Sequence, residues 1–375
     1  VGSAARYGYV GDTGDILSSS FFWDRVTQHH SYATGGHGLS EYFGPPDELA
    51  HRVDGRACES CNVYNMLKLT RRLFSLRPDA NYADFQERAL FNHVLASIDP
   101  SNGATSYMVP VGRGEQQEYQ DMLRSFTCCV GTGMENHALH GYGVYYESPD
   151  TLWVNLYAPS VAQFTTAGVK LTMETGFPDG DDAKMTLALP SPKEFTLAVR
   201  RPVWAGDGFT VKVNGTAMEQ PPLASLRDPS AGGRGGAPGM EAKQASPYVE
   251  LKRVWRSGDT VELTMPKSLW LDPTPDDRTI AAIMWGPLVL AGDDGPRREG
   301  RRNAPPPPPV PVLVVDEKPL DSWVVPRGTV QGDFKAQNVA RVLGTSGSPG
   351  DVSLAPFYRT QERSYSVYFD VLSPA

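Results

Sequence analysis

The stretch Ala57-Cys58-Glu59-Ser60-Cys61-Asn62 places two thiols and a carboxylate directly before a segment with a strong helical pattern. The chain of 375 residues contains four cysteines, and the other two, Cys128 and Cys129, are adjacent. Thiolates and a carboxylate are the ligands of tetrahedral zinc sites, so these residues can supply a Cys/Cys/Cys/Glu set. Three other interpretations stay open on the residues alone: a redox pair of Cys58 with Cys61, two structural disulfides, or buried unpaired thiols.

The first part of the chain is predicted to be helical. Apolar residues recur at the helical period around 16–26, after Ser60, over 82–98 and from about 134 to 145. Ser60 is the predicted N-cap of the second of these helices. Residues two apart do not share a helix face, so Glu59 and Cys61 can approach one metal only if Glu59 is still in the loop.

A loop of unusual length, residues 31–57, leads into the first cysteine pair. Connections of this length in compact domains are usually functional or disordered. This loop carries His37 and Glu41, which makes both of them candidates for a site. The second cysteine pair is expected just ahead of the helix predicted at 134–145, where a helix N-terminus favours the thiolate. Residues 105–111 are predicted to be extended.

After Pro149 the apolar period changes from that of helices to that of strands, as in a β-sandwich. Strands are predicted at 152–157, 169–173, 185–189, 195–199, 209–213, 248–251, 261–265 and 364–371. The apolar run 280–291 is predicted to be one buried sandwich strand. Two segments rich in Gly, Ala or Pro, 228–247 and 297–311, are interpreted as surface loops or linkers.

The net charge of −8, without a long basic cluster, argues against a nucleic-acid or anionic-membrane partner. The longest apolar run contains Gly286-Pro287 and is too short to span a bilayer. The sequence opens at Val1 and shows no signal peptide, so bacterial cytoplasm, periplasm and secretion all stay open.

Three stretches resemble the retaining β-L-arabinofuranosidases of glycoside hydrolase families 127 and 146. They are residues 32–46 (YATGGHGLSEYFGPP), 58–70 (CESCNVYNMLKLT) and 128–136 (CCVGTGMEN). Pro356-Phe357-Tyr358, with Arg363, Tyr365, Val367 and Tyr368, resembles the closing strand of the same proteins. The resemblance covers nearly the whole chain. It implies an (α/α)6 barrel followed by β-sandwich domains, and a zinc ion held by three thiolates and one carboxylate.

The resemblance also implies roles for single residues. Glu59, Cys61 and Cys129 are expected to be zinc ligands and Cys128 the zinc-bound nucleophile. The position of Glu41 matches the general acid/base. Glu87 and Tyr107 match positions that either contact the substrate or support the residues that do. Apart from the resemblance, His37 is a candidate for substrate contact, with a hydrogen-bonding role inside its loop as the alternative. No role is expected for Cys58, interpreted as a buried or spare thiol, or for His137 and His140, interpreted as packing or surface residues.

The expected activity is removal of terminal β-L-arabinofuranosyl residues from plant-type glycans by a retaining mechanism. A homodimer is one expected assembly. Two alternatives stay open: hydrolysis of another sugar such as aceric acid, and a non-catalytic, zinc-stabilised carbohydrate-binding protein. A basic pocket would favour the first alternative. The second predicts that changes at Glu41 or Cys128 alter no turnover.

The family barrel has twelve helices, and residues 1–149 supply about five or six, so the barrel is expected to be incomplete at its N-terminus. The predicted domains are the C-terminal part of this catalytic barrel (1–149), a β-sandwich (150–296), a Pro-rich linker (297–312) and further sandwich strands (313–375).

Overall fold

The structure is a computed structural model that describes residues 1–222, 247–298, 309–316, 318–342 and 348–373. Most of the loop predicted at 228–247 and of the linker predicted at 297–312 lies outside these residues. The chain divides into two compact units. The first comprises Val1–Arg72, Arg88–His140 and Leu269–Ala375, and the second comprises Leu73–Glu87 and Gly141–Ser268.

Helices dominate the chain up to residue 138. The described residues contain the α-helices α1 Gly2–Val10, α2 Thr13–His29, α3 Ser60–Leu76, α4 Ala80–Ala89 and α5 Cys128–Ala138. A π-helical turn, Leu90–Val94, and a 3-10 turn, Leu95–Ser97, continue α4, so the helix predicted at 82–98 changes its winding at residue 90. Five helices in the described residues are fewer than half of the twelve in an (α/α)6 barrel, and that barrel is not confirmed.

Helix α3 has the amphipathic pattern that its sequence predicts. Val63, Met66 and Leu67 are each at most 3% exposed. A buried hydrogen bond from Trp23 Nε1 to Thr70 Oγ1, 2.7 Å long, connects α2 to this helix. The N-cap prediction is wrong, because Ser60 is already helical and its hydroxyl donates to the carbonyl of Ser106 at 2.7 Å.

Helix α5 begins earlier than predicted, at Cys128 rather than near residue 134, and it ends at Ala138. The predicted start lay after Gly131 and Gly133. A Cβ atom at Gly133 would lie 2.4 Å from Thr105 Oγ1, so this glycine permits close packing inside the helix. Both cysteines therefore lie in the first turn of α5.

The second unit contains two sheets of strands whose side chains alternate between buried and exposed. One sheet has the strand order β10-β7-β3-β2 and the other the order β4-β5-β6-β11-β8-β9. The strands are β2 Tyr145–Glu147, β3 Thr151–Val154, β4 Ser160–Phe164, β5 Val169–Thr175, β6 Asp182–Ala188, β7 Lys193–Arg200, β8 Thr210–Val213, β9 Thr216–Met218, β10 Tyr248–Trp255 and β11 Thr260–Thr264. Each strand predicted between residues 152 and 265 overlaps one of these.

The C-terminal strands belong to the first unit, together with β1 Glu115–Gln116. One sheet has the strand order β1-β19-β14-β18-β17-β15-β20-β13-β12, and β16 pairs with β17. Because β13 also pairs with β14, six of these strands close a barrel, in the order β13-β14-β18-β17-β15-β20. The strands are β12 Leu269–Pro273, β13 Ile280–Trp285, β14 Leu288–Pro296, β15 Val312–Val314, β16 Val324–Pro326, β17 Phe334–Arg341, β18 Gly350–Pro356, β19 Arg363–Ser366 and β20 Tyr368–Leu372.

The single strand predicted at 280–291 is wrong. The apolar run is buried, but it forms two antiparallel strands, β13 and β14, in which Trp285 pairs with Leu288. Gly286 adopts φ +56° and Pro287 follows it, and a left-handed glycine of this kind makes a two-residue hairpin turn. Both strands pair with strands C-terminal to residue 349 rather than with those of the second unit.

Two tyrosines near the end of the chain form hydrogen bonds to the loop 31–57 and to the extended segment 105–111 of the first unit. The hydroxyl of Tyr368 accepts a hydrogen bond from the Ala33 backbone at 2.9 Å. The hydroxyl of Tyr365 donates to the Pro110 carbonyl at 3.1 Å. Both rings are buried, so the loop 31–57 and the extended segment 105–111 rest on the C-terminal barrel.

None of the helices in the described residues has both the length and the apolar character that crossing a bilayer requires.

Candidate functional site

Four predicted residues of the first unit converge at one point. The ligand atoms of Glu59, Cys61, Cys128 and Cys129 all lie within 4.8 Å of one another. Cys129 Sγ is 3.3 Å from Cys61 Sγ and 3.7 Å from Glu59 Oε1. Cys128 Sγ is 3.7 Å from Glu59 Oε1 and 3.9 Å from Cys129 Sγ. Ligands in a regular tetrahedron with bonds of about 2.3 Å are about 3.8 Å apart, so the spacing fits a tetrahedral metal ion.

Helix N-termini and one strand-like contact place these ligands. Cys61 lies in the first turn of α3, and Cys128 and Cys129 lie in the first turn of α5. Glu59 precedes α3, as predicted, and forms an antiparallel bridge with Met108. The two helix N-termini bring partial positive charge to the sulfur atoms, which stabilises their thiolates.

Cys58 is fully buried and outside the ligand cluster, but its backbone holds the site together. Its N–H donates to the Gly38 carbonyl at 3.2 Å, and its carbonyl accepts from the Val109 N–H at 3.0 Å. Cys58 adopts φ +63°, an unfavourable conformation for a residue with a side chain. This turn joins the loop 31–57 to the extended segment 105–111 immediately before Glu59.

The cluster shares protons when no cation is bound. Burial raises the pKa of Glu59 to about 7. The thiol of Cys129 donates to Cys61, which lowers the pKa of Cys61 to about 6 and raises the pKa of Cys129. Burial also raises the pKa of Cys128. A divalent cation would displace these protons, because metal ligands bind in their deprotonated forms.

Glu41, Tyr107 and Cys128 are connected through one hydroxyl group. Tyr107 donates to Glu41 Oε1 at 2.5 Å, and Cys128 Sγ lies 3.6 Å from the same hydroxyl oxygen. Glu41 and Cys128 are exposed. Glu41 and Ser40 adopt φ of +72° and +50°, and such strained backbone is typical of functional sites. The predicted acid and the predicted nucleophile are therefore neighbours.

Two predicted substrate contacts have other partners. Glu87 is in the second unit and 2% exposed, where its carboxylate accepts a short hydrogen bond from the buried Arg200 and one of 2.8 Å from Trp204 Nε1. His37 is buried, with its Nδ1 3.2 Å from Ser31 Oγ. Substrate contact by Glu87 or His37 stays a prediction.

Two histidines of the segment 128–140 are not part of the metal cluster, whereas one threonine of α5 contacts it. The rings of His137 and His140 pack edge to face at a centroid distance of 5.2 Å, and neither residue is among the four clustered residues. Thr132, whose Oγ1 is 3.1 Å from Cys61 Sγ, was not among the predicted site residues. The sequence carried a signal for its place near the site: Thr132 follows Cys128 by four residues and Cys129 by three, and residues with these spacings are neighbours on a helix surface.

Comparison with protein families identifies the chain over most of its length. Residues 1–142 match the family model of the β-L-arabinofuranosidase GH127 catalytic domain. Residues 151–267 match that of the GH127 middle domain. The chain belongs to the GH127 family. The resemblance stated from the three sequence stretches is thus confirmed.

The curated relative that the chain matches is longer than this chain. A curated relative from Bifidobacterium longum subsp. longum, a non-reducing end β-L-arabinofuranosidase, is 24% identical over 328 residues, covering 78% of this chain and 46% of the relative. The chain therefore spans about half the length of that curated relative.

Solved structures show the same fold. One titled glycoside hydrolase has a TM-score of 0.74 at 20% identity, covering 99% of this chain and 64% of its own. A GH127 β-L-arabinofuranosidase from Geobacillus stearothermophilus T6 has a TM-score of 0.71 at 21% identity, covering 99% of this chain and 59% of its own.

Proposed function

We propose that this GH127 protein removes terminal β-L-arabinofuranosyl residues from plant-type glycans as a retaining glycosidase. The observation that carries the proposal is the Tyr107 hydroxyl, within hydrogen-bonding reach of Glu41 and 3.6 Å from Cys128 Sγ, beside a Glu/Cys3 cluster. A retaining glycosidase needs a nucleophile and a proton donor beside the same glycosidic bond. The family membership and the name of the curated relative support the choice of sugar.

We infer that the metal of this protein is Zn²⁺, held by Glu59, Cys61, Cys128 and Cys129. Three thiolates with one carboxylate suit Zn²⁺, whereas Mg²⁺ and Ca²⁺ prefer oxygen ligands. When bound, zinc would keep the Cys128 sulfur ionised at neutral pH and orient it.

Side chains of this protein then carry out the nucleophilic attack and the proton transfers. The Cys128 thiolate attacks the anomeric carbon, and a C–S bond forms while the C–O bond to the leaving group breaks. Glu41 gives its proton to the departing oxygen. In the second step the Glu41 carboxylate accepts a proton from water, whose oxygen displaces the Cys128 sulfur from the same carbon. Two inversions leave the configuration of the sugar retained.

The finer features of the architecture are also proposals. We propose that α1–α5 form part of an (α/α)6 barrel and that the two sheets of the second unit form a β-sandwich. Likeness in fold to the GH127 β-L-arabinofuranosidase from Geobacillus stearothermophilus T6, with its TM-score of 0.71, supports both. The predicted domain bounds and the homodimer stay predictions, and light scattering would test the second.

Hydrolysis of an aryl β-L-arabinofuranoside, with zinc and a thiol reductant present, tests the function. Cys128→Ser and Glu41→Gln are expected to lower kcat/KM by at least roughly 100-fold, because each removes a group that makes or breaks a bond. Glu48→Gln is the matched control, since Glu48 is an exposed carboxylate of the same loop. Equal turnover by the wild type and Cys128→Ser would refute Cys128 as the nucleophile, whereas a metal-loaded wild type without turnover would favour the non-catalytic alternative.

A further inference from the structure

Helices α3 and α5, which carry the sulfur ligands, contact each other through two pairs of side chains. One pair lies at the metal cluster and the other lies three residues further along each helix. Cys61 and Thr132 form the first pair, with 3.1 Å between Sγ and Oγ1. Tyr64 and Glu135, each three residues further along its helix, form a second pair through a short hydrogen bond. Only the first pair includes a ligand atom.

The hydroxyl of Thr132 has one hydrogen and two acceptors within reach. Its Oγ1 is 3.3 Å from the Cys128 carbonyl oxygen, a common arrangement for threonine inside a helix, and 3.1 Å from Cys61 Sγ. A thiol at Cys61 could donate to Thr132, but a thiolate can only accept. Ionisation of Cys61 on metal binding therefore favours rotation of the hydroxyl hydrogen towards the sulfur.

Charge favours the same orientation. Four ionised ligands carry a charge of −4, and a divalent ion reduces the total to −2, so the loaded cluster stays anionic. Hydrogen bonds donated to ionised groups are about twice as strong as neutral ones. Donors beside ligand atoms typically change metal affinity by roughly 10- to 100-fold when removed.

We propose that Thr132 is a positioning residue that donates its hydroxyl hydrogen bond to the metal-bound Cys61 thiolate and thereby strengthens Zn²⁺ binding. The proposal rests on the metal site proposed above. Thr132 thus affects the metal affinity and the electronic state of one sulfur ligand, and it takes no part in bond cleavage.

The test uses the full chain and measures metal binding instead of turnover. Thr132→Val keeps the shape of the side chain and removes the hydroxyl, whereas Thr132→Ser keeps the hydroxyl. Tyr64→Phe breaks the second contact between the same two helices without touching sulfur, so it controls for loosened helix packing. Zn²⁺ affinity is measured by competition with a chromophoric chelator. Co²⁺ substitution reports the sulfur-to-metal charge-transfer band.

Thr132→Val is expected to bind Zn²⁺ at least roughly 10-fold more weakly than the wild type and to shift the Co²⁺ charge-transfer band. Thr132→Ser and Tyr64→Phe are expected to behave like the wild type. Unchanged affinity and band in Thr132→Val, or an equal loss in Tyr64→Phe, would overturn the proposal while leaving the metal site intact. A wild type that binds neither ion would overturn the metal site as well. If circular dichroism shows Thr132→Val to be unfolded, Thr132→Ala takes its place with the same criteria.

Discussion

Tyr107 places one hydroxyl beside the two residues to which we assign chemistry. Its hydrogen bond to Glu41 raises the pKa of the phenol, so Tyr107 remains a donor at neutral pH. The bond of 2.5 Å holds the Glu41 carboxylate on the side of Cys128, whose sulfur is 3.6 Å from the same oxygen. Tyr107 therefore fixes the separation of acid and nucleophile, which matters because a displaced catalytic group slows the reaction steeply.

Tyr107→Phe is expected to lower kcat/KM for an aryl β-L-arabinofuranoside by roughly 10- to 100-fold. The physical reason is loss of a hydrogen bond to a charged group, typically about 1.5–3 kcal/mol. Steady-state kinetics with the metal-loaded protein provide the measurement. Tyr9→Phe, on the exposed face of α1, is the control. Wild-type kcat/KM in Tyr107→Phe would show that the Tyr107 hydroxyl does not position Glu41 for catalysis.

Helix α5 illustrates how packing can override local helix propensity. Its first turn contains Cys128 and Cys129, yet Gly131 and Gly133 follow within five residues of Cys128. Glycine in a helix interior costs about 0.5–1 kcal/mol relative to alanine, so local propensity alone places the helix start later. The close approach to Thr105 makes a glycine at 133 necessary, whereas Gly131 has no atom within 4 Å of a Cβ position.

Gly133→Ala and Gly131→Ala are therefore expected to have opposite effects. Gly133→Ala would crowd Thr105 and is expected to destabilise the protein by about 1–3 kcal/mol. Gly131→Ala is expected to stabilise it by up to about 1 kcal/mol, because it meets no neighbour and improves helix propensity. Urea denaturation followed by circular dichroism measures both. The same sign of effect for both changes would contradict this account of α5.

The first unit is assembled from three separate stretches of chain, and its interior contains buried histidines. Burial lowers the pKa of His37 and of His93 to about 3. Both are therefore neutral in the folded protein across the range in which a free histidine, with a pKa of about 6.5, becomes charged. At these two histidines the unfolded chain binds more protons than the folded protein between pH 6.5 and pH 3, so their contribution to folding stability falls as the pH falls through this window.

Lowering the pH from 7 to 5 is expected to cost about 1–2 kcal/mol of unfolding free energy for each of these two histidines. Chemical denaturation at a series of pH values gives this slope. His93→Phe is expected to reduce the slope between pH 4 and pH 6, whereas His51→Asn, at an exposed position, is expected to leave it unchanged. An identical slope in His93→Phe and wild type would exclude His93 as a source of acid sensitivity.

Much of the local structure follows from the sequence, because short-range periodicity reports which side chains can share a buried face. The alternation in β5 and β6 and the buried face of α3 needed no tertiary information. The chemistry of three sulfur atoms and one carboxylate predicted the cluster of Glu59, Cys61, Cys128 and Cys129. The roles that the resemblance implies for Glu41 and Tyr107 stay predictions. These signals are carried by residue type and by spacing over a few positions.

Only the tertiary structure decided which distant residues meet. Cys61 and Cys129 are 68 positions apart and lie 3.3 Å from each other, and Glu87 has a buried partner, Arg200, 113 positions away. The start of α5 depended on the space beside Thr105, and the pairing of the two strands in 280–291 depended on partners after residue 349. The physical reason is common to all of these cases: long-range packing selects among conformations that are nearly equal in local energy, and sequence spacing carries no information on which surfaces come into contact.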